Sequence, residues 1–525
     1  MITGKNYIGK ELSANSSVTF QTFNPLLDIK NDISFFEASD LEIQKATILA
    51  SNAFLTYKSV SLTDRSNFLT QIAEELKLIS DDIVKIYCSE TGLSEGRCLG
   101  ELTRTINQLQ SFAKLLSKGN FQDISIDSPI VDRKPIPKPD LRKMLIPIGP
   151  VLVFGASNFP LAYSTAGGDT ASALAAGCPV ILKSHPMHCG TGETVSAAII
   201  RAADKTGMPN GVFSNLNSKG IEVGVKLVNS PHVMAVGFTG SLKGGRAIYD
   251  IASRRNNPIP VFAEMGSVNP VLIFPKKLEN ECDELAIKYA KSITVGSGQF
   301  CTNPGIIISF DSKNFDLFIK KLVNEIQQIT PSCMLHPNIY DAYDKGIKKI
   351  KKNKNVKELT TNDNSDNKNL PRHVISTVSA ENFLKDETLQ HEIFGPSSLI
   401  VKCKDYDEMC NVVKSLQGQL TGTILAESDD VFLSQEIVDL LQLRVGRIIF
   451  NGVPTGVEVC PSMTHGGPYP ASTDSRFTAV GINSIKRWLR PVSFQDFPEK
   501  FLPDELKNNN ALNTVSYTHL TLPTI

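Results

Sequence analysis

The stretch GSGQFCTNPG sets Cys301 between small and polar residues, with Gly298 before it and Pro304 and Gly305 after it. A structural free cysteine behaves as a small hydrophobe and sits among apolar neighbours. Cys301 is instead flanked by Gln299, Phe300, Thr302 and Asn303. The composition predicts a presented thiol on a segment with little packing around it. A thiolate that attacks a carbonyl carbon creates an oxyanion, and an amide side chain can hold that charge. Asn158, in FGASNFP, is such an amide. If the adduct becomes a thioester, a carboxylate that activates water can release it. Glu264, in VFAEMGSVNP, is such a carboxylate. Each also has a plainer reading. Cys301 could be as inert as Cys178, Cys189 or Cys460, Glu264 a buried ion-pair partner, and Asn158 a turn residue before Phe-Pro.

What favours chemistry is position. All three residues lie where an apolar run gives way to a glycine turn, and open α/β folds gather their sites at the carboxyl ends of strands. The elements that would place them alternate. Residues 40–118 carry helical periodicity. Residues 119–140 are polar and hold four prolines, which predicts an extended arm. MLIPIGPVLVFGAS reads as a buried strand and a loop, AGGDTASALAAG as a small-residue helix, and CPVILKSHP as the next strand. GVFSNLN, VMAVGFTG and IPVFAEMG continue the alternation, which predicts an α/β fold with a parallel sheet and helices on both faces. A second series begins at NPVLIFP with a helix near 280–294. Residues 350–370 are rich in Lys, Asn and Asp and read as a solvated surface loop.

No GxGxxG follows the strands, and there is no P-loop. Gly240 and Gly245 are five apart, but Arg246 stands where the lysine would be. Ser241 at the start of a glycine-spaced helix is either a phosphate-binding helix N-terminus or simply a turn. His185, His188 and Cys189 imitate metal-ligand spacing without a fourth ligand, so no metal is expected.

The 525 residues are 41% hydrophobic and 21% charged, with 54 Lys+Arg against 54 Asp+Glu. Zero net charge gives no reason to expect nucleic acid or a charged membrane as partner. No apolar signal core opens the chain, and no run long enough to span a membrane follows. Ten dispersed cysteines read as thiols in a reducing compartment, so a soluble cytoplasmic protein is expected.

Taken together, FGASNFP, LKSHP, FTGS, FAEMGSVNP, GQFCTNPG and EIFGP resemble, in order and spacing, the motifs of the aldehyde dehydrogenase superfamily. The resemblance implies a Rossmann-type NAD(P)-binding domain over 1–118 and 141–263 and an α/β catalytic domain over 264–455. It also implies a small β oligomerisation arm from 119–140 and 485–507, which would make a homodimer or homotetramer, with 508–525 as an atypical tail. Cys301 would attack an aldehyde, Asn158 and the Cys301 backbone N–H would hold the oxyanion, and Glu264 would activate the hydrolytic water. Lys183 and Glu392 would hold cofactor ribose hydroxyls, and Ser241 would meet the pyrophosphate, with Gly240 and Gly245 allowing close approach. His465, in MTHGGP, is glycine-flanked as in the resembling branch and is a candidate neighbour of the thiol or a structural loop histidine. That branch is the α-ketoglutaric semialdehyde (2,5-dioxopentanoate) dehydrogenases, with NADP-linked fatty aldehyde dehydrogenases beside it. It implies oxidation of α-ketoglutaric semialdehyde to 2-oxoglutarate. The alternatives are a fatty aldehyde substrate, acyl transfer to coenzyme A, or a non-catalytic binding protein. Pro186 stands where NAD-preferring members often carry a carboxylate, so NADP is expected to be accepted alongside NAD.

Overall fold

The computed structural model describes residues 2–360 and 369–509, and the backbone of 516–517. Its centre is two seven-stranded sheets. In the first, the strands Val261–Glu264, Ala235–Thr239, Val151–Phe154, Val180–Lys183 and Phe213–Leu216 lie side by side in that order, all parallel. An antiparallel hairpin, Asn6–Ile8 and Glu11–Ser13, extends it beyond Phe213–Leu216.

Why these runs are strands shows in where alternate side chains go. Val151, Val153, Val180 and Leu182 join one apolar cluster with the helices Leu62–Leu78, Glu95–Lys118 and Cys189–Lys205. Leu152, Ile181 and Val236 join another with the helices Asp40–Tyr57, Glu222–Asn229 and Leu242–Ser253. A period of two with both faces buried is what a helix-covered parallel sheet requires, and each such side chain contributes roughly 1.5–3 kcal/mol on burial. The predicted parallel sheet with helices on both faces is therefore present. Three of the four helices over 40–118 start at sequence-encoded caps: Ser39, Ser61 and Ser94 each accept a backbone N–H from the first turn, while Ser80–Thr91 follows directly on Ile79 without one.

The second sheet runs Lys357–Glu358, Val374–Ser379, Ser397–Cys403, Ile306–Phe310, Val271–Ile273, Gln419–Leu425 and Val445–Phe450, parallel except for the first strand. A third sheet pairs Leu489–Gln495, Leu141–Pro147, Ser125–Asp127 and the backbone of 516–517.

Three boundaries differ from expectation. MLIPIGPVLVF is two strands in two sheets, because Pro147 and Pro150 interrupt the ladder and Gly149 turns with φ 128°. Residues 141–147 thus belong with the arm rather than with the first sheet. Glu264 is the last residue of the first sheet's edge strand, so the division between the sheets falls at 265–270, after this carboxylate. Within 350–370, the helix Pro337–Lys351 ends and Lys357–Glu358 forms a sheet edge, where one strand face needs little apolar cover. The remainder of that predicted loop, 361–368, and most of the atypical tail lie outside the described residues. Among the described residues no helix is long and apolar enough to cross a membrane.

The segment after the last strand of the second sheet, left unassigned by the sequence, returns to the first. Ser472 bridges Glu264, Met265 donates its N–H to the Ala471 carbonyl at 2.8 Å, and Ala263 donates to Thr473 Oγ1 at 2.9 Å. This return carries His465.

Candidate active site

The carboxyl ends of the first sheet's parallel strands open onto a cavity of about 820 Å³. Asn158, Lys183, Gly240, Ser241, Glu264, Cys301, Glu392 and His465 all line it, so eight of the nine sequence-predicted residues meet in one place. Gly245 does not. Its Cα faces Met265, where an added Cβ would stand 2.6 Å from the sulfur, and Gly244 lines the cavity instead. One residue along a helix turns the face by 100°.

The cysteine segment is not loosely packed, as its composition suggested. It is held by polar contacts. Gly296, Ser297 and Gly298 are consecutive left-handed residues. The Ser297 hydroxyl bonds to the Ser332 hydroxyl at 2.8 Å, which holds a conformation that a non-glycine residue otherwise resists. A Cβ at Gly298 would stand 2.3 Å from the Gly395 carbonyl, so the EIFGP loop closes directly over this turn. Asn269 Nδ2 donates to the Cys301 carbonyl at 2.9 Å and to the Asn303 carbonyl at 2.8 Å. Losing that amide would leave buried carbonyls unpaired, at about 1–3 kcal/mol each.

Cys301 itself is half-buried. Its Sγ lies 3.6 Å from His465 Nε2. Burial pushes the thiol up to about 12, the charges of Glu392 and Glu264 push the same way, and Arg104 opposes them. Burial pushes the His465 imidazole down to about 3, with Arg447 and Arg104 adding to the effect. The pair is thus a neutral thiol beside a neutral imidazole. The sulfur has a neutral ring nitrogen beside it rather than an imidazolium that would stabilise a standing thiolate. The proton can leave as a carbon–sulfur bond forms.

Glu264 has an unpartnered buried Oε2. Burial holds its carboxyl well above the usual range, Arg487 opposing and Asp169 adding. Gly466, next to His465, lies against this carboxyl: a Cβ there would be 3.6 Å from Oε1. Asn158 Nδ2 donates one hydrogen to the Gln299 carbonyl at 2.9 Å, and its second N–H remains to serve an oxyanion. Burial depresses the Lys183 ammonium to about 8 and lifts the Glu392 carboxyl to about 7.

At the far end the cavity is walled by Val225, Val228, Ile248 and Ile251 from two helices. Ser241 caps the second of them, accepting the Gly244 N–H at 3.2 Å. An apolar slot, a helix N-terminus, a cation and carboxylate midway, and a thiol with an orphaned carboxylate at the other end suit the ring, pyrophosphate, ribose and nicotinamide of a dinucleotide. His188, part of the metal-like triplet, directs Nε2 at the Ala156 carbonyl at 2.7 Å, and no cluster of metal-ligating residues occurs among the described residues.

A model of the aldehyde dehydrogenase family matches residues 12–485. The chain belongs to the aldehyde dehydrogenase family. It is accordingly an NAD(P)-dependent oxidoreductase of aldehydes. Among curated relatives it is 44% identical to α-ketoglutaric semialdehyde dehydrogenase 2 of Azospirillum brasilense, over 97% of this chain and 98% of that one. It is 40% identical to α-ketoglutaric semialdehyde dehydrogenase of Acinetobacter baylyi, over 97% of each. Among solved structures, Thermus 1-pyrroline-5-carboxylate dehydrogenase with bound NAD superposes with a TM-score of 0.78 at 21% identity, covering 94% of this chain and 92% of that one. Betaine aldehyde dehydrogenase of Staphylococcus aureus in complex with NAD+ gives 0.80 at 19%, covering 95% and 96%.

A second cavity, of about 350 Å³, reaches the aldehyde dehydrogenase's Cys301 from the helix Glu95–Lys118. Arg97, Arg104, Phe159, Tyr163 and Phe300 line it. The sequence reading missed this group. Its signal was GRCLGELTR, in which two arginines and two glycines share one stretch of an otherwise amphipathic helix.

Proposed function

We propose that this enzyme oxidises α-ketoglutaric semialdehyde to 2-oxoglutarate with NADP or NAD. The observation that carries the chemistry is the meeting of Cys301, His465 and Glu264 at one end of a dinucleotide-sized cavity. The substrate assignment is supported by the two relatives of that name, each aligned over nearly the whole chain.

Cys301 Sγ attacks the aldehyde carbon while its proton passes toward His465 Nε2. The free N–H of Asn158 and the Cys301 backbone N–H hold the oxyanion. The nicotinamide, when bound, supplies the oxidant that takes the hydride. The product left on Cys301 is a thioester. Glu264, once ionised, draws a proton from water, and the hydroxide equivalent displaces the sulfur as the acid leaves. Lys183 and Glu392 orient ribose hydroxyls, and the turn at Gly240, Ser241 and Gly244 receives the pyrophosphate. Residues 1–118 and 148–264 act as the cofactor domain and 265–455 as the catalytic domain. The sheet of 125–147 and 489–495 is the arm through which copies pair as a homodimer or homotetramer, in the cytoplasm.

Pro186 lines the cavity beside His185 and Lys219, and among the described residues no carboxylate lines that end of it to repel a 2′-phosphate. Pro186→Glu is expected to lower kcat/KM with NADP by about tenfold or more, through like-charge repulsion, and to change the NAD value far less. Equal effects on both would argue against this placement of the adenosine ribose. The function itself is tested by turnover of α-ketoglutaric semialdehyde and of a long-chain alkanal, each with NAD and NADP, and with or without coenzyme A. The expected result is free acid, coenzyme A-independent, with the oxo-acid aldehyde preferred. Preference for the alkanal, or an acyl-coenzyme A product, would overturn the assignment.

A further inference from the structure

The helix Glu95–Lys118 brings two guanidinium groups to the cavity that opens onto Cys301, and their circumstances differ. Arg97 has a counter-ion in Glu101, 3.8 Å away, and lies over the Phe159 ring at 4.3 Å and the Phe300 ring at 5.1 Å. Arg104 has none. Among the described residues no carboxylate forms an ion pair with it. Its one hydrogen bond runs from Nη2 to the Tyr163 hydroxyl at 2.8 Å, and its Nε, like that of Arg97, is buried without a partner. A third guanidinium, Arg447, gives its terminal nitrogens to the Pro454 and Gly456 carbonyls and does not line this cavity.

A guanidinium always carries its charge, and even half-burying it, as Arg104 is, without an anion is costly. Such a group on the wall of a substrate cavity is complementary to an anion that arrives with the substrate. Its planar fork matches a carboxylate with two parallel hydrogen bonds. The other walls agree. Phe159 and Phe300 flank the path, and Gly96 and Gly100 present no side chain, so the helix face at the mouth stays open.

We infer that Arg104 is the specificity-determining residue of this enzyme, binding the carboxylate at the end of the substrate remote from the aldehyde while the aldehyde carbon lies at Cys301. This deepens the proposed function and rests on it. Tyr163 is the positioning residue that holds the guanidinium plane. The same feature disfavours a long alkanal, whose chain would press against an unpaired cation.

The test compares α-ketoglutaric semialdehyde with pentanal, which has the same number of carbons and no carboxylate, on the wild type, Arg104→Met and Arg104→Lys. Arg104→Met is expected to raise KM for the oxo-acid aldehyde by about 30- to 100-fold, the loss of a charge-assisted bidentate contact, while any change in kcat from losing a charge near Cys301 and His465 is shared by both aldehydes. KM for pentanal stays within about threefold, and Arg104→Lys recovers part of the loss. An equal rise in KM with both aldehydes, or none with either, overturns the inference while leaving the dehydrogenase reading intact. Failure of the wild type to oxidise either aldehyde overturns both. The wild type alone provides a check that does not depend on a folded variant. Glutarate should inhibit competitively at least about tenfold more strongly than glutaramide, because only the former carries the charge that Arg104 binds. Equal inhibition by the two contradicts the inference.

Discussion

Cys301→Ala is expected to abolish aldehyde oxidation, lowering kcat/KM by about 10⁴-fold or more, because among the described residues no other thiol lines this cavity to form the thioester. Other thiols do not substitute. Cys178 and Cys189 are fully buried, and neither lines the cavity. The variant should fold, because the segment is held by Asn269, Ser297 and Gln299 rather than by the thiol. It should also bind the dinucleotide as the wild type does, measurable from quenching or enhancement of NADPH fluorescence. Oxidation at more than a percent or so of the wild-type rate, with cofactor binding intact, would remove Cys301 from the mechanism.

Glu264→Gln should separate the two halves of the reaction. The amide has the shape of the carboxyl but cannot take a proton from water. Oxidation on Cys301 should still occur once per site, giving a burst of NAD(P)H, after which turnover falls by about 10²- to 10³-fold. The pH dependence follows from the direction of the Glu264 shift. Burial holds the carboxyl protonated above the usual carboxylate range, and only the ionised form can act as base. Hydrolysis should therefore speed up as pH rises through that raised pKa and slow toward acid. In Glu264→Gln this limb should vanish. A variant with the same steady-state rate, or with the same acid limb, would assign water activation elsewhere.

The amide and the carboxylate could be read from local spelling, because each sits at the end of a strand whose apolar run is contiguous in the chain. The thiol was legible from composition alone, since its segment follows the helix Pro275–Thr294 and precedes the strand Ile306–Phe310 rather than ending a strand. The alternation that builds the first sheet was equally local. What could not be read were facts of tertiary placement. Glu101 lies three residues before Arg104 and looks in sequence like its natural partner, yet its carboxylate is taken up by Tyr87 and by the backbone N–H groups of Leu161 and Ala162. The packing around Cys301 was misjudged for a related reason. Small polar residues pack little against one another, but here they are clamped by Asn269 and Gly395, both remote in sequence. The split of MLIPIGPVLVF rests on prolines that interrupt a single apolar run, and periodicity alone does not count sheets. His465 came from resemblance. Its approach to Cys301 depends on the long return after Phe450, whose irregular backbone carries no periodic signal.

The central claim is that a carbonyl carbon becomes bonded to Cys301 and waits there for water activated by Glu264. The most direct test is peptide mass mapping of Glu264→Gln quenched in acid after one exposure to α-ketoglutaric semialdehyde and NADP. The account predicts a single modified peptide, the one containing Cys301, heavier by the aldehyde less one molecule of hydrogen and returned to its original mass by hydroxylamine. NADPH formed in stoichiometric amount with that peptide unmodified, or with the added mass on another residue, would contradict it.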